Sequence, residues 1–159
     1  MELRKKVDKV LEFVLIGLMI VLIADVSWQV ISRYLLSAPS SFTDELAGYL
    51  LIWVGVLGAA YVAGKQEHLA IDLLLQKSSP ERQRKLIIII NVIILLFAVT
   101  VMIIGGAWLV ITRFKFGVLS AALHLPLGYV YMVMPLSGLL IVYYSIEIIR
   151  EKFKNRSTK

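Results

Sequence analysis

Apolar residues in this chain come in long blocks separated by short polar links. Four blocks, at residues 10–36, 46–64, 86–112 and 127–149, are long enough to cross a bilayer, which takes about 20 residues per helix. Inside hydrocarbon a backbone must satisfy its own N–H and C=O groups, and blocks of this kind do so as helices. The pattern predicts four transmembrane helices, spans one to four, and leaves little chain for anything soluble. We expect one all-α integral membrane domain over residues 1–159.

The links refine this picture. Residues 69–76 are apolar beside Asp72 and Lys77. They are too few to span, and suit a short interfacial helix lying in the membrane plane. Ser79, Pro80 and Glu81 read as N-cap, first-position proline and first-turn acid, so the third helix should begin at Pro80 and run to about Phe114. Pro126 should open span four, and Pro135 and Gly138 inside it should bend it. The link at 113–125 is apolar for a loop, with Phe114, Phe116 and Leu119, which membrane insertion or a covering partner would explain. The charged tail after Glu147 should be solvated.

Residues 43–74 organise the rest. Thr43 is expected to cap span two, with Asp44 and Glu45 in the first turn, where the helix dipole favours negative charge. Gly48, Gly55, Ala59 and Ala63 then fall on one stripe. Small residues let another backbone approach closely in a membrane, where large apolar side chains gain nothing by leaving lipid. The stripe is expected to pack against helix three, helix four or another subunit. Leu57 lies on nearly the opposite face, where added bulk is expected to be tolerated.

Composition supports a membrane protein, because 59% of the 159 residues are hydrophobic and soluble domains rarely exceed half. The net charge of +6 is a topology signal rather than a sign of nucleic-acid binding. Arg4, Lys5, Lys6 and Lys9 precede span one. Lys65, Lys77, Arg82, Arg84 and Lys85 separate spans two and three. Arg150, Lys152, Lys154, Arg156 and Lys159 follow span four. The other side holds Arg33, Arg113 and Lys115. This asymmetry predicts cytoplasmic termini, with anionic lipid as neighbour. The basic N-terminus resembles a signal peptide, but its apolar run is too long and lacks a small-residue cleavage site, so a mature helix is expected. With no cysteine in the chain, disulfides and thiolate chemistry are excluded.

Candidate polar sites are few. Asp25, Gln29 and Arg33 are spaced by four on span one and share a face. An acid deep in a membrane helix is costly and raises a functional question. Asp25 either carries a coupling proton or pairs with a polar group on another helix or subunit. A lone deep acid with Gln29 and Arg33 beside it favours the second. Arg33, Asp44 and Glu45 either pair locally or contact a partner outside, on the periplasmic face. His68 and His124 fall on opposite sides of the membrane in this topology and cannot share a haem or metal. Trp28, Trp53 and Trp108 suit packing or interface anchoring. The sequence carries no Walker loop and no catalytic constellation. A subunit without catalysis, cofactor or metal is expected.

Three stretches carry a family resemblance: Asp44-Glu45-Leu46-Ala47 with Tyr49 to Trp53 and Gly58-Ala59; Gln66 to Leu74; and Ser120 to Pro126 with Tyr131 and Pro135 to Gly138. Together they resemble the small membrane subunit of tripartite ATP-independent periplasmic (TRAP) transporters. Arg33-Tyr34 is similar to the end of helix one in that family. The resemblance implies a heterodimer with a large transmembrane subunit that holds the substrate and sodium sites. It implies a periplasmic binding protein that delivers an organic acid, and the bacterial inner membrane as location. The Lys65 to His68 run looks most like sialic-acid members; dicarboxylate or sugar-acid transport is the other implied class. A small four-helix proton-coupled exporter is the alternative from a different class, and a haem-bearing respiratory anchor is a further one. The long link at 65–85 and the inside tails count against the exporter.

Overall fold

The computed structural model describes residues 2–36, 40–65 and 80–154. His68 and the expected interfacial helix at 69–76 lie outside the described residues. Span one is α1 (Glu2–Tyr34) and span two is α2 (Ser41–Lys65). Span three runs through α3 (Pro80–Phe97), a π-helical stretch (Ala98–Gly105) and α4 (Gly106–Lys115). Span four is a short α5 (Leu127–Tyr131) followed by α6 (Val133–Lys154). All four are long and apolar enough to cross a membrane.

Several boundaries differ from the sequence reading, each for a local reason. Ser40, not Thr43, caps α2. Its Oγ accepts the Thr43 N–H at 3.4 Å, and its carbonyl accepts from Thr43 Oγ1 at 3.0 Å. Three serine or threonine residues stand close together there, and the first to meet a third-position N–H takes the cap. Helix α1 is helical from Glu2, well ahead of its apolar part. At about 1.5 Å per residue it is about 50 Å long, beyond the hydrocarbon thickness of about 30 Å. The segment after Glu147 is solvated only in part: Ile148 is 1% exposed, while Arg150, Glu151, Phe153 and Lys154 are exposed on α6, which continues to Lys154. Helix α4 ends at Lys115, close to the expected Phe114, and the apolar loop is accordingly 116–126 rather than 113–125.

The helical ladder of span four is interrupted at Met132, between α5 and α6. Pro135 lacks an N–H and leaves the Tyr131 carbonyl without its helical donor, so the ladder breaks one turn before the proline. Gly138 lies in continuous helix, where a Cβ would come within 2.8 Å of Ile103 Cγ1 and 2.9 Å of Met102 Cβ. Gly106 closes the same seam, with a Cβ position 3.0 Å from both Met134 Cβ and Pro135 Cδ. The π-helical stretch and the proline break therefore meet across one interface.

The spans pack in the spatial order one, two, four, three. Two small apolar clusters result. Leu11, Leu57, Val133 and Tyr144 join spans one, two and four, while Ala60, Ala98, Met102 and Ile141 join spans two, three and four. Span four is the centre, with 39% of its apolar window buried against 11% for span one. The arrangement is a row of helices with broad apolar faces, and most of span one looks outward.

Candidate functional site

Polar groups stitch the row at both ends. At the end where the chain begins, Arg4 Nη2 donates to the Gly64 carbonyl, which α2 leaves free at its C-terminus. Arg4 Nε lies 3.6 Å from Glu147 Oε2, and the Tyr144 hydroxyl donates to Asp8 Oδ1 at 2.6 Å. Gly64 is needed here, because a Cβ would sit 2.8 Å from the Tyr144 ring. Sequence reading took Arg4 only as a topology charge and did not single out Asp8, Tyr144 or Glu147. The available signal was two acids inside otherwise basic segments.

At the other end Glu45 is the hub. Its carboxylate accepts the backbone N–H groups of Ala121, Ala122 and Leu123 at 2.9, 2.7 and 2.8 Å, and the Tyr49 hydroxyl at 2.7 Å. Three consecutive amides converge because the loop turns back on itself. His124 has a φ of 53°, Ser120 N–H donates to the Leu125 carbonyl at 2.9 Å, and Ser120 Oγ accepts from Leu125 N–H at 3.1 Å. Histidine tolerates this left-handed conformation better than a branched residue would. Converging amides form an anion-binding concavity, and span two fills it with its own carboxylate. Glu45 thereby ties span two to the loop joining spans three and four. The loop keeps Phe116 and Leu119 exposed.

The expected local ion pairs with Arg33 are not formed. Glu45 bonds backbone amides instead, and Asp44 Oδ1 accepts from Gln29 Nε2 at 2.6 Å. No ion pair within 4.0 Å involves Arg33 among the described residues. It lines a shallow cavity of about 260 Å³ with Gln29, Ser40, Ser41 and Asp44. Asp25 is half-buried on the face of α1 turned to α2, and its Oδ2 is buried without a hydrogen-bond partner among the described residues.

Among the described residues the small-residue stripe closes no seam, apart from its last member. Gly48, Gly55 and Ala59 are exposed, and a Cβ on Gly48, Gly55 or Gly58 would meet nothing within 4 Å. Ala63 is half-buried against the second cluster. The expectation for Leu57 is reversed. Leu57 is 2% exposed, at the centre of the first cluster, because the face opposite the stripe is the packed one. Spans two and four meet there through larger groups and two hydrogen bonds. Trp53 Nε1 donates to the Val130 carbonyl at 3.0 Å, and Ser137 Oγ donates to the Val56 carbonyl at 2.7 Å. Trp28 and Trp108 point outward.

The family described as tripartite ATP-independent periplasmic transporters, DctQ component, matches residues 22–155. The chain belongs to this family. Family members are TRAP small permease subunits, so the chain is a multi-pass membrane protein and a transporter component, not an enzyme. It is 33% identical over 82 residues to a sialic acid TRAP transporter small permease protein, SiaQ, of Vibrio cholerae, covering 52% of this chain and 47% of the relative. The chain thus matches about half the length of that protein. It is 27% identical over 137 residues to a Haemophilus influenzae protein assigned as a TRAP transporter small permease protein, covering 85% and 82%. A third relative, the sialic acid TRAP transporter permease protein SiaT of Haemophilus influenzae, is 41% identical over 46 residues, 29% of this chain and 8% of that protein.

Proposed function

We propose that this chain is the fixed scaffold of a sodium-coupled, binding-protein-dependent importer of organic acids in the bacterial inner membrane. The observation that carries this reading is the bare face of α2. Gly48, Gly55 and Gly58 offer their backbone outward with nothing near it. Lipid gains little from such a surface, whereas a partner helix gains close dispersion contacts. The partner in this reading is a large transmembrane subunit that holds the substrate and sodium sites. Asp25 then finds its donor on that subunit rather than in this chain. A periplasmic binding protein delivers the substrate to the end carrying the Glu45-latched loop, and the basic links face the cytoplasm. The relatives' names point to sialic acid as the first substrate to try.

The test is co-expression with the large membrane subunit and the soluble binding protein of the proposed transporter. Co-purification of the large protein and sodium-dependent sialic acid uptake that needs all three chains are expected. Purification without a larger membrane partner would overturn the scaffold reading. Uptake of another acid would change only the substrate. The cysteine-free chain also permits single-cysteine topology mapping. Ser78→Cys should resist membrane-impermeant reagents in intact cells, and labelling from outside would invert the topology.

A further inference from the structure

Spans one and four touch at the end where the chain begins, through Asp8–Tyr144 and Arg4–Glu147. Beside that contact a cleft of about 560 Å³ opens between them. Val10 and Val14 of α1 form one wall and Leu136 and Leu140 of α6 the other. Trp53 and Leu57 of α2 form the floor, and Lys6 stands at one end. Every surface lining the cleft is apolar, the stem of Lys6 included. The walls are open to the surroundings, since Val10 is 64% exposed and Leu136 47%.

We propose that this cleft is a phospholipid site, with one acyl chain lying along α1 between Val14 and Val7 and the headgroup phosphate meeting the ammonium of Lys6. Val7 to Val14 covers about 10 Å of α1, and the cleft of about 560 Å³ along it is room enough for a slender flexible chain. Charge argues for a headgroup. Lysine lays its carbon stem on apolar surface and carries its ammonium to the polar boundary. Lys6 makes no ion pair within 4.0 Å among the described residues, while the nearby Asp8 is already engaged by Tyr144. The floor adds permanence, because Leu57 and Trp53 are held by the core and by the bond to Val130. This site depends on the chain being in a membrane and not on its role in transport.

The test is native mass spectrometry of the protein purified from membranes with whatever partner it retains, stripped of lipid and then titrated with dioleoyl phosphatidylglycerol. One tightly held lipid per chain is expected. Val10→Trp and Leu136→Trp each fill the cleft from an exposed wall and should abolish that adduct. Ile20→Trp, at an exposed position further along α1, should keep it. Lys6→Gln should weaken binding about fivefold, the contribution of one juxtamembrane cation near an anionic surface. Dioleoylglycerol, which lacks the phosphate, should bind the unsubstituted protein equally weakly. Unchanged lipid retention in both tryptophan variants would overturn the proposal. So would a photoreactive residue at position 10 that crosslinks in intact cells to another membrane polypeptide instead of to lipid.

Discussion

The seam between spans three and four and the face shared by spans one and two are both rich in small or apolar residues, yet they are built in opposite ways. In the seam, Gly138 is pressed against Met102 and Ile103 with no room for a Cβ, and Gly106 against Met134 and Pro135 with room only if they shift by a few tenths of an ångström. On α2, Gly48, Gly55 and Gly58 look into open space. The same residue type thus closes one interface inside the chain and leaves another surface bare. Glycine in a membrane helix marks a close approach; only the fold tells whether the approaching backbone belongs to the same chain.

Substitutions in the two regions should therefore separate by size of effect. Gly138→Leu should be the most damaging, destabilising the chain by about 3 kcal/mol, the upper end of typical overpacking. Thermal unfolding of the purified chain in detergent measures it, and an unchanged midpoint would mean the seam is loose. Leu57→Trp comes next, at about 2 kcal/mol by the same mechanism in the first cluster. Wild-type stability for this variant would restore the view that Leu57 faces lipid. Glu45→Gln removes the charge that three loop amides share. Its global effect should be small and its local one clear, as faster hydrogen exchange at Ala121, Ala122 and Leu123 with the rest of the chain unaffected. Gly55→Leu should be the mildest for the isolated chain, within about 0.5 kcal/mol, as for substitutions away from packed features. It should nevertheless lower recovery of the large partner from membranes. Loss of stability in the isolated chain would place the bare face inside this fold.

Much of this was legible in the sequence. Four blocks of apolar residues became four helices, because a bilayer demands length and internal hydrogen bonding and little else. Pro80 opened span three where its missing N–H costs nothing. Pro135 broke span four near where it stands. The spatial order of the spans was not legible, since lipid-facing and protein-facing positions in a membrane helix are equally apolar. That is why Leu57 and the glycine stripe were assigned to the wrong sides of α2 for packing within the chain. Glu45 was visible as a candidate but not its partners, because backbone amides leave no mark in a sequence; the loop geometry that gathers them depends on His124 and Ser120 together. The roles of Arg4 and Glu147 stayed hidden behind the general basicity of the chain ends.

The π-helical stretch from Ala98 to Gly105 has an evolutionary reading. Such a stretch packs more residues into each turn than an α-helix and is the form that a helix takes when it absorbs an inserted residue. Ala98, Met102 and Gly106, each four apart, are all buried toward span four, and the wider turns keep that spacing in line with the seam. Span three thus stores slack in its own winding. A homologue shorter by one residue here could keep the Gly106–Pro135 contact by rewinding to an α-helix, whereas the same deletion in α2 would rotate Glu45 away from its loop or Leu57 out of the core.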